Sequence, residues 1–172
     1  MDAEDVAVHL VTDLAAAPGW VEMSREYLAH AVAVHAAATG QSVDAEGQLR
    51  QTVDHIERFL GPDGRFVAAT HPERGLLGMV LLHRLANGKG EVKRLYVSPA
   101  ARRLGLARRL MALLEAEARA MGCSALYLDT SAGLREAVAF YRTLGFEDAP
   151  FDPASVQDPE VAKHMVVMEK PL

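Results

Sequence analysis

Residues 91–129 constrain the fold more than any other part of the chain. Residues 91–97 read as a strand, and Pro99 ends it because proline brings no N–H to a ladder. Residues 104–121 then place Leu106, Leu110, Leu113, Leu114, Ala118 and Met121 at the 3.6-residue period of an amphipathic helix. Gly122 stands where a left-handed C-cap is expected, and residues 125–129 read as a short, buried strand. A strand, a long helix and a second strand make a crossover unit, in which the strands run parallel and the connection is right-handed. The chain therefore needs a sheet at its centre.

The remaining segments extend that sheet. Residues 6–12 read as a first strand, closed off by Pro18 and Gly19. Residues 20–38 are Ala-rich with near-helical apolar spacing, and Gly40 ends them. Residues 44–60 read as a second helix, with Leu49, Val53, Ile56 and Leu60 on one stripe. Residues 65–70 and 76–85 are strands joined by a turn, and a tight connection at 87–90 leads into the strand at 91. Turns this short pair their strands antiparallel. A helix over 134–144, stopped by Gly145, and two last strands, one from Phe146 onward and one over 164–169, complete the order β-α-α-β-β-β-α-β-α-β-β. The expected fold is α/β (mixed α+β): a central mixed, mostly antiparallel sheet with helices on both faces. With 172 residues, half of them apolar, one domain over residues 1–172 is expected.

Composition removes several classes of function. No apolar run reaches the roughly 18 residues of a membrane span. The start, Met1-Asp2-Ala3-Glu4-Asp5, is acidic where a secretory leader is basic, so a cytoplasmic protein is expected. The one cysteine, Cys123, cannot form an internal disulfide and suits a reducing compartment. The formal net charge of −5 argues against nucleic acid as a partner. The histidines lack metal-ligand spacing, so no metal is expected. Ser24, Ser98 and Ser131 lack a nucleophile elbow.

The charge is also unevenly spread. Residues 92–111 hold no acidic residue, yet they hold Lys93, Arg94, Arg102, Arg103, Arg108 and Arg109. Within them, Arg102-Arg103-Leu104-Gly105-Leu106-Ala107 follows a strand and opens a helix. A helix start leaves N–H groups without intrahelical partners, and the helix dipole adds positive charge there. Phosphates bind such an end when the backbone can come close, which Gly105 permits and the small Ala107 does not obstruct. Arg102, Arg103 and Arg108 can add charge-assisted bonds. The alternative is a solvated basic helix face. The segment is neither a P-loop nor a dinucleotide fingerprint.

Three segments in order resemble the GCN5-related N-acetyltransferase (GNAT) superfamily. Residues 102–107 fit its Q/R-x-x-G-x-G/A signature. Residues 91–99 are similar to the strand before it. Residues 137–146, from Ala137 through Tyr141 to Gly145 and Phe146, are similar to its A-x-x-x-Y-x-x-x-G-F ending. The resemblance implies acetyl-CoA, or another acyl-CoA, as co-substrate. It implies that Leu95, Tyr96 and Val97 lie along the pantetheine arm, which pairs with the backbone of Leu95 and Val97. Arg102, Arg103, Leu104, Gly105, Leu106, Ala107 and Arg108 surround the pyrophosphate, and Tyr141 meets the thioester end. In the family, the strands that precede the two C-terminal helices splay apart, and the thioester sits in the opening. Leu128, Asp129 and Thr130 match one subgroup, whereas Leu134 stands where many relatives carry an asparagine.

The implied function is transfer of an acetyl group from acetyl-CoA to a primary amine of a small molecule, amino acid or peptide, by direct attack in a ternary complex. The alternative is a non-catalytic acyl-CoA sensor or interaction module. Tyr141 is the candidate general acid, or else a core tyrosine whose hydroxyl merely touches the CoA sulfur. Glu91 is the candidate general base, directly or through water; otherwise it pairs with Lys93 or Arg94, or contacts the amine. The N–H of Leu95 is the candidate oxyanion donor. His83 lies on the neighbouring strand and reaches the same cleft or simply sits at a strand end; His164, on the last strand, is open to the same two readings. Trp20, Tyr27 and His30 lie on the first helix, which in the superfamily often covers the acceptor. The first two helices and residues 151–163 are expected to line the acceptor pocket. Dimerisation is common in relatives and leaves a homodimer open.

Overall fold

The structure, a computed structural model, describes residues 5–155 and 157–172. The acidic start at residues 1–4, and Val156 in the presumptive acceptor loop, lie outside the described residues. The elements are β1 (Ala7–Leu10), α1 (Trp20–Thr39), α2 (Ala45–Asp54), β2 (Gly64–His71), β3 (Gly75–Arg84), β4 (Gly90–Val97), α3 (Leu106–Ala120), β5 (Ala125–Ser131), α4 (Arg135–Thr143), β6 (Glu147–Asp148), α5 (Pro159–Ala162) and β7 (Met165–Pro171). The strands form one sheet in the order β1-β2-β3-β4-β5-β7-β6. Only β4 and β5 pair in parallel; every other pairing is antiparallel.

Alternation along the strands gives the sheet two covered faces. Val67, Ala69, Val80, Leu82, Val92, Leu126 and Leu128 join Leu106, Leu110, Met111 and Leu114 of α3 and Tyr141 of α4 in one core. Phe66, Ala68, Met79, Leu81 and Tyr96 point the other way and meet Trp20 and Met23 of α1. Leu110 and Leu114 are fully buried, so truncating either to Ala would cost about 3 kcal/mol. Gly122, at φ 72°, closes the α3 turn as its sequence position suggested.

One expected helix is shorter than its apolar stripe suggested. Residues 44–60 split at His55 into α2 and a 3₁₀ turn over Ile56–Phe59. A continued α-helix would have kept Ile56 and Leu60 on the inner stripe. The tighter turn leaves both half-buried against the core and buries Phe59, which packs edge-on against His83 at 5.7 Å between ring centres. Gly64 permits this approach: a Cβ there would lie 1.8 Å from the carbonyl oxygen of Arg58.

The sheet is split in its middle. β4 and β5 share only two rungs, Gly90 with Leu126 and Glu91 with Tyr127. Beyond them β5 follows β7 as far as Ser131. β4 follows β3 through a bulge, where Arg94 and Leu95 together oppose Val80. Arg94 sits at φ 58°, a left-handed conformation that costs a non-glycine residue about 1 kcal/mol. Bulges bend and twist the strand that carries them. Here the bend accompanies the departure of β4 from β5, and the strands splay as the resemblance implied.

Candidate active site

On the α3 face, the turn into the helix alternates its handedness. Arg103 (φ 67°) and Gly105 (φ 71°) are left-handed, and Leu104 between them is not. Such alternation turns successive N–H groups toward one side, the geometry of an anion nest. The first bond inside α3 runs from the Arg109 N–H to the Gly105 carbonyl, 3.1 Å, so the helix does not use the amides before it. Nothing lies within 4 Å of where a Gly105 Cβ would be, so the space in front of the turn is open. An open cavity of about 250 Å³ is lined there by Val97, Arg102, Arg103, Gly105, Ala107 and Arg108, among others. The three arginines are exposed, and no carboxylate lines the cavity among the described residues. Arg108 also donates to Thr143 Oγ1 at 3.2 Å, which holds it beside α4.

The other predicted donor residues spread over both faces. Leu95, Val97 and Leu104 pack against the α3 core, and Leu106 is buried in it. Tyr96 turns to the opposite face and donates its hydroxyl to Glu26 Oε1 at 2.7 Å. Burial, with that carboxylate beside it, pushes the Tyr96 phenol up to about 12. Tyr141 is buried against the rings of Phe140 and Phe146, at 5.7 and 5.5 Å. Burial raises its pKa strongly, and the next contributions come from Tyr27 and Asp129, so its phenol senses groups of the α1 face.

Glu91, at the last rung before the split, is fully buried. One carboxylate oxygen lies 2.7 Å from His83 Nε2, and the other accepts from Ser155 Oγ and lies 3.1 Å from Lys93 Nζ. Burial alone would raise its pKa, but His83, Lys93 and Ser155 outweigh it and hold it at about 2. Of the two ion pairs considered from sequence, the one with Lys93 forms. Arg94 instead donates to Thr52 Oγ1 at 3.0 Å. His83, Lys93 and Arg94 line a cavity of about 270 Å³ together with Phe59 and residues of α2.

A second cavity of about 50 Å³ lies further along the split, lined by Tyr27, His35, Arg94, Asp129, Ser131 and Leu134 among others. Tyr27 thus meets the site, while Trp20 packs into the core and His30 and His164 are exposed. Burial raises the Tyr27 pKa, and Arg94 lies 5.9 Å from its ring centre. Burial also holds the Cys123 thiol up, in the α3 core.

Sequence reasoning gives His83 a discounted place and leaves Asp129 open as a cap, a buried hydrogen-bond acceptor or a substrate contact, but it does not bring Arg94 or His35 into the site. His83 was within reach: a tight hairpin centred on Asn87 sets His83 opposite Glu91, as observed. Arg94 and His35 had no comparable signal. Among the described residues, no group of three or more His, Cys, Asp or Glu could hold a metal ion, and no helix is long and apolar enough to cross a membrane.

Residues 31–146 match the profile of the acetyltransferase (GNAT) family. The chain is 35% identical over 141 residues to an IAA acetyltransferase of Azospirillum brasilense, covering 71% of this chain and 89% of that protein. A GNAT-family acetyltransferase from Staphylococcus aureus Mu50 superposes with a TM-score of 0.73 at 19% identity, over 96% of this chain and 99% of that one. The PaiA N-acetyltransferase of Thermoplasma acidophilum, solved in complex with coenzyme A, superposes with a TM-score of 0.70 at 20% identity, over 97% and 99%.

Proposed function

The chain belongs to the acetyltransferase (GNAT) family of acyl-CoA-dependent transferases, and from that premise we propose that it transfers an acetyl group from acetyl-CoA to a primary amine by direct attack in a ternary complex. The observation that carries this reading is the split between β4 and β5, with the basic nest on one side and a buried polar cluster on the other. The diphosphate lies against the amides around Arg103, Gly105 and Ala107, with Arg102 and Arg108 beside it. The pantetheine arm runs along the edge of β4 at Leu95 and Val97, which β5 leaves unpaired. The thioester then reaches the opening.

In the transfer the amine nitrogen bonds the acyl carbon and the C–S bond breaks. The nitrogen loses a proton and the thiolate gains one. The Leu95 N–H stabilises the oxyanion. Tyr141 supplies the proton to sulfur, and its raised pKa keeps it protonated until then. Glu91, at about 2, is a weak acceptor on its own. It acts through His83, which lines the cavity and is oriented by the 2.7 Å contact. This arrangement supports the Glu91 assignment as one end of a relay.

The family match covers residues 31–146, while β1 and β7 flank it and belong to the same sheet. This supports reading residues 1–172 as one domain. The test is a thiol-release assay with acetyl-CoA and a panel of primary amines. Release that depends on an amine is expected. Tight CoA binding with no release on any amine would overturn catalysis in favour of a sensor.

A further inference from the structure

Among the described residues, three buried side-chain polar atoms have no hydrogen-bond partner: His35 Nε2, Arg94 Nε and Asp129 Oδ2. All three belong to residues that line the 50 Å³ cavity under α1. Buried polar groups are nearly always satisfied, so three orphans around one space call for a cause. None belongs to a loose side chain. Arg94 is tethered by Nη2 to Thr52 Oγ1 (3.0 Å), Asp129 by Oδ1 to Gln157 Nε2 (3.4 Å), and His35 by Nδ1 to Ser131 Oγ (3.0 Å). Arg94 and Asp129 act on each other electrostatically, yet no ion pair joins them among the described residues. Lys93 Nζ forms an ion pair with Asp129 Oδ2 at 3.8 Å, too long to be a hydrogen bond.

Arg94 and Asp129, each with one atom that lacks a hydrogen bond, have opposite sign and flank the opening. Arg94 is three residues past the last β4 rung, and Asp129 two past the last β5 rung. A guanidinium N–H lacking an acceptor suits a carboxylate, and a carboxylate oxygen lacking a donor suits an ammonium. We propose that the amine acceptor is a free amino acid, whose ammonium is taken by Asp129 and whose carboxylate is taken by Arg94. This inference rests on the acetyl-transfer reading above and specifies its acceptor. A water needs roughly 10–15 Å³, so the cavity of about 50 Å³ holds a head group of a few atoms. Leu28, Ala31, Val32, Val161 and Met165 supply apolar wall around that head group. His35 Nε2 remains to meet a second carboxylate oxygen or a water.

The experiment compares amino acids with the amines left when their carboxylate is removed: L-valine with isobutylamine, and L-methionine with 3-(methylthio)propylamine. Thiol release from acetyl-CoA is measured with each, and CoA binding is followed by calorimetry. The expected result is a kcat/KM at least tenfold higher for the amino acid in each pair. Arg94→Gln is expected to lower that ratio at least tenfold, and Arg94→Lys to restore part of it. Asp129→Asn is expected to raise KM for both members. Equal or better turnover of the carboxylate-free amines overturns the inference and leaves acetyl transfer standing. CoA binding without release on any member overturns both. The wild-type ratio decides the question even where a variant fails to fold.

Discussion

The cavity in front of α3 and the two cavities that share Arg94 are built differently. The first is open, carries charge of one sign, and owes its shape to backbone: two left-handed residues and a helix start. Of the others, the larger is lined by Arg58, Lys93 and Arg94 and the smaller by Arg94 and Asp129, and both owe their shape to side chains, from α2, β3 and β4 in one and from α1, α2, β4 and β5 in the other. A backbone site suits a ligand shared by many proteins, because few side chains are needed to make it. A side-chain site can be rebuilt for a different acceptor without disturbing the first.

Tyr141 stands between the two regions, and its replacement has the largest expected effect. Tyr141→Phe should lower kcat by about 10²-fold or more, as for a lost general acid, while CoA affinity changes little. Equal turnover would reduce Tyr141 to a core residue. Next comes Glu91→Gln, which leaves Lys93 and His83 facing a neutral amide in a buried site. Urea unfolding should show a loss of about 3 kcal/mol. The acid behaviour follows from the same residue. Its pKa is lowered on folding from 4.5 to about 2, so its stabilisation is complete above about 4.5 and is lost as pH falls toward 2. The variant should lack that part of the acid transition; an unchanged acid profile would show that the carboxylate is not held as described.

Gly105→Glu tests the backbone cavity. The left-handed turn is strained by any Cβ, and the new carboxylate would repel a diphosphate held at the proposed nest. Calorimetry should find CoA bound on the order of 100-fold more weakly, and an unchanged affinity would remove the nest from the donor site. The smallest effect should come from Asp44→Ala. Asp44 caps α2 by accepting from the Gly47 N–H at 2.9 Å, and its loss should cost about 1 kcal/mol in thermal unfolding. Gln48 of α2 lines the 50 Å³ cavity, so acceptor KM should move more than CoA affinity. The reverse pattern would mean the two regions are not separable.

The backbone region was legible in the sequence because its signals are local. Pro99, Gly105, Gly122 and the leucines of α3 each act within a turn or two of their own position. The split was legible only through the family resemblance, since no residue of β5 announces that pairing stops after Tyr127. The side-chain region was mostly illegible. Arg94 looks like any strand arginine until the bulge turns it to φ 58°. The pairing of His35 with Ser131 joins residues 96 apart in the chain. The second helix was read too long because Ile56 and Leu60 satisfy helical spacing, and the competing pull of Phe59 toward His83 is a tertiary contact.

The two-rung junction of β4 and β5 has a mechanical consequence. Across it, backbone pairing joins four strands on one side to three on the other through the rungs of Gly90, Glu91, Leu126 and Tyr127, with one more bond from the Ser124 N–H to the Gly88 carbonyl at the edge. A molecule that hydrogen-bonds along the open stretch of β4 would act as a surrogate strand. Occupancy would then stiffen the whole sheet, and amide exchange along β4 and β5 would slow together when the gap is filled.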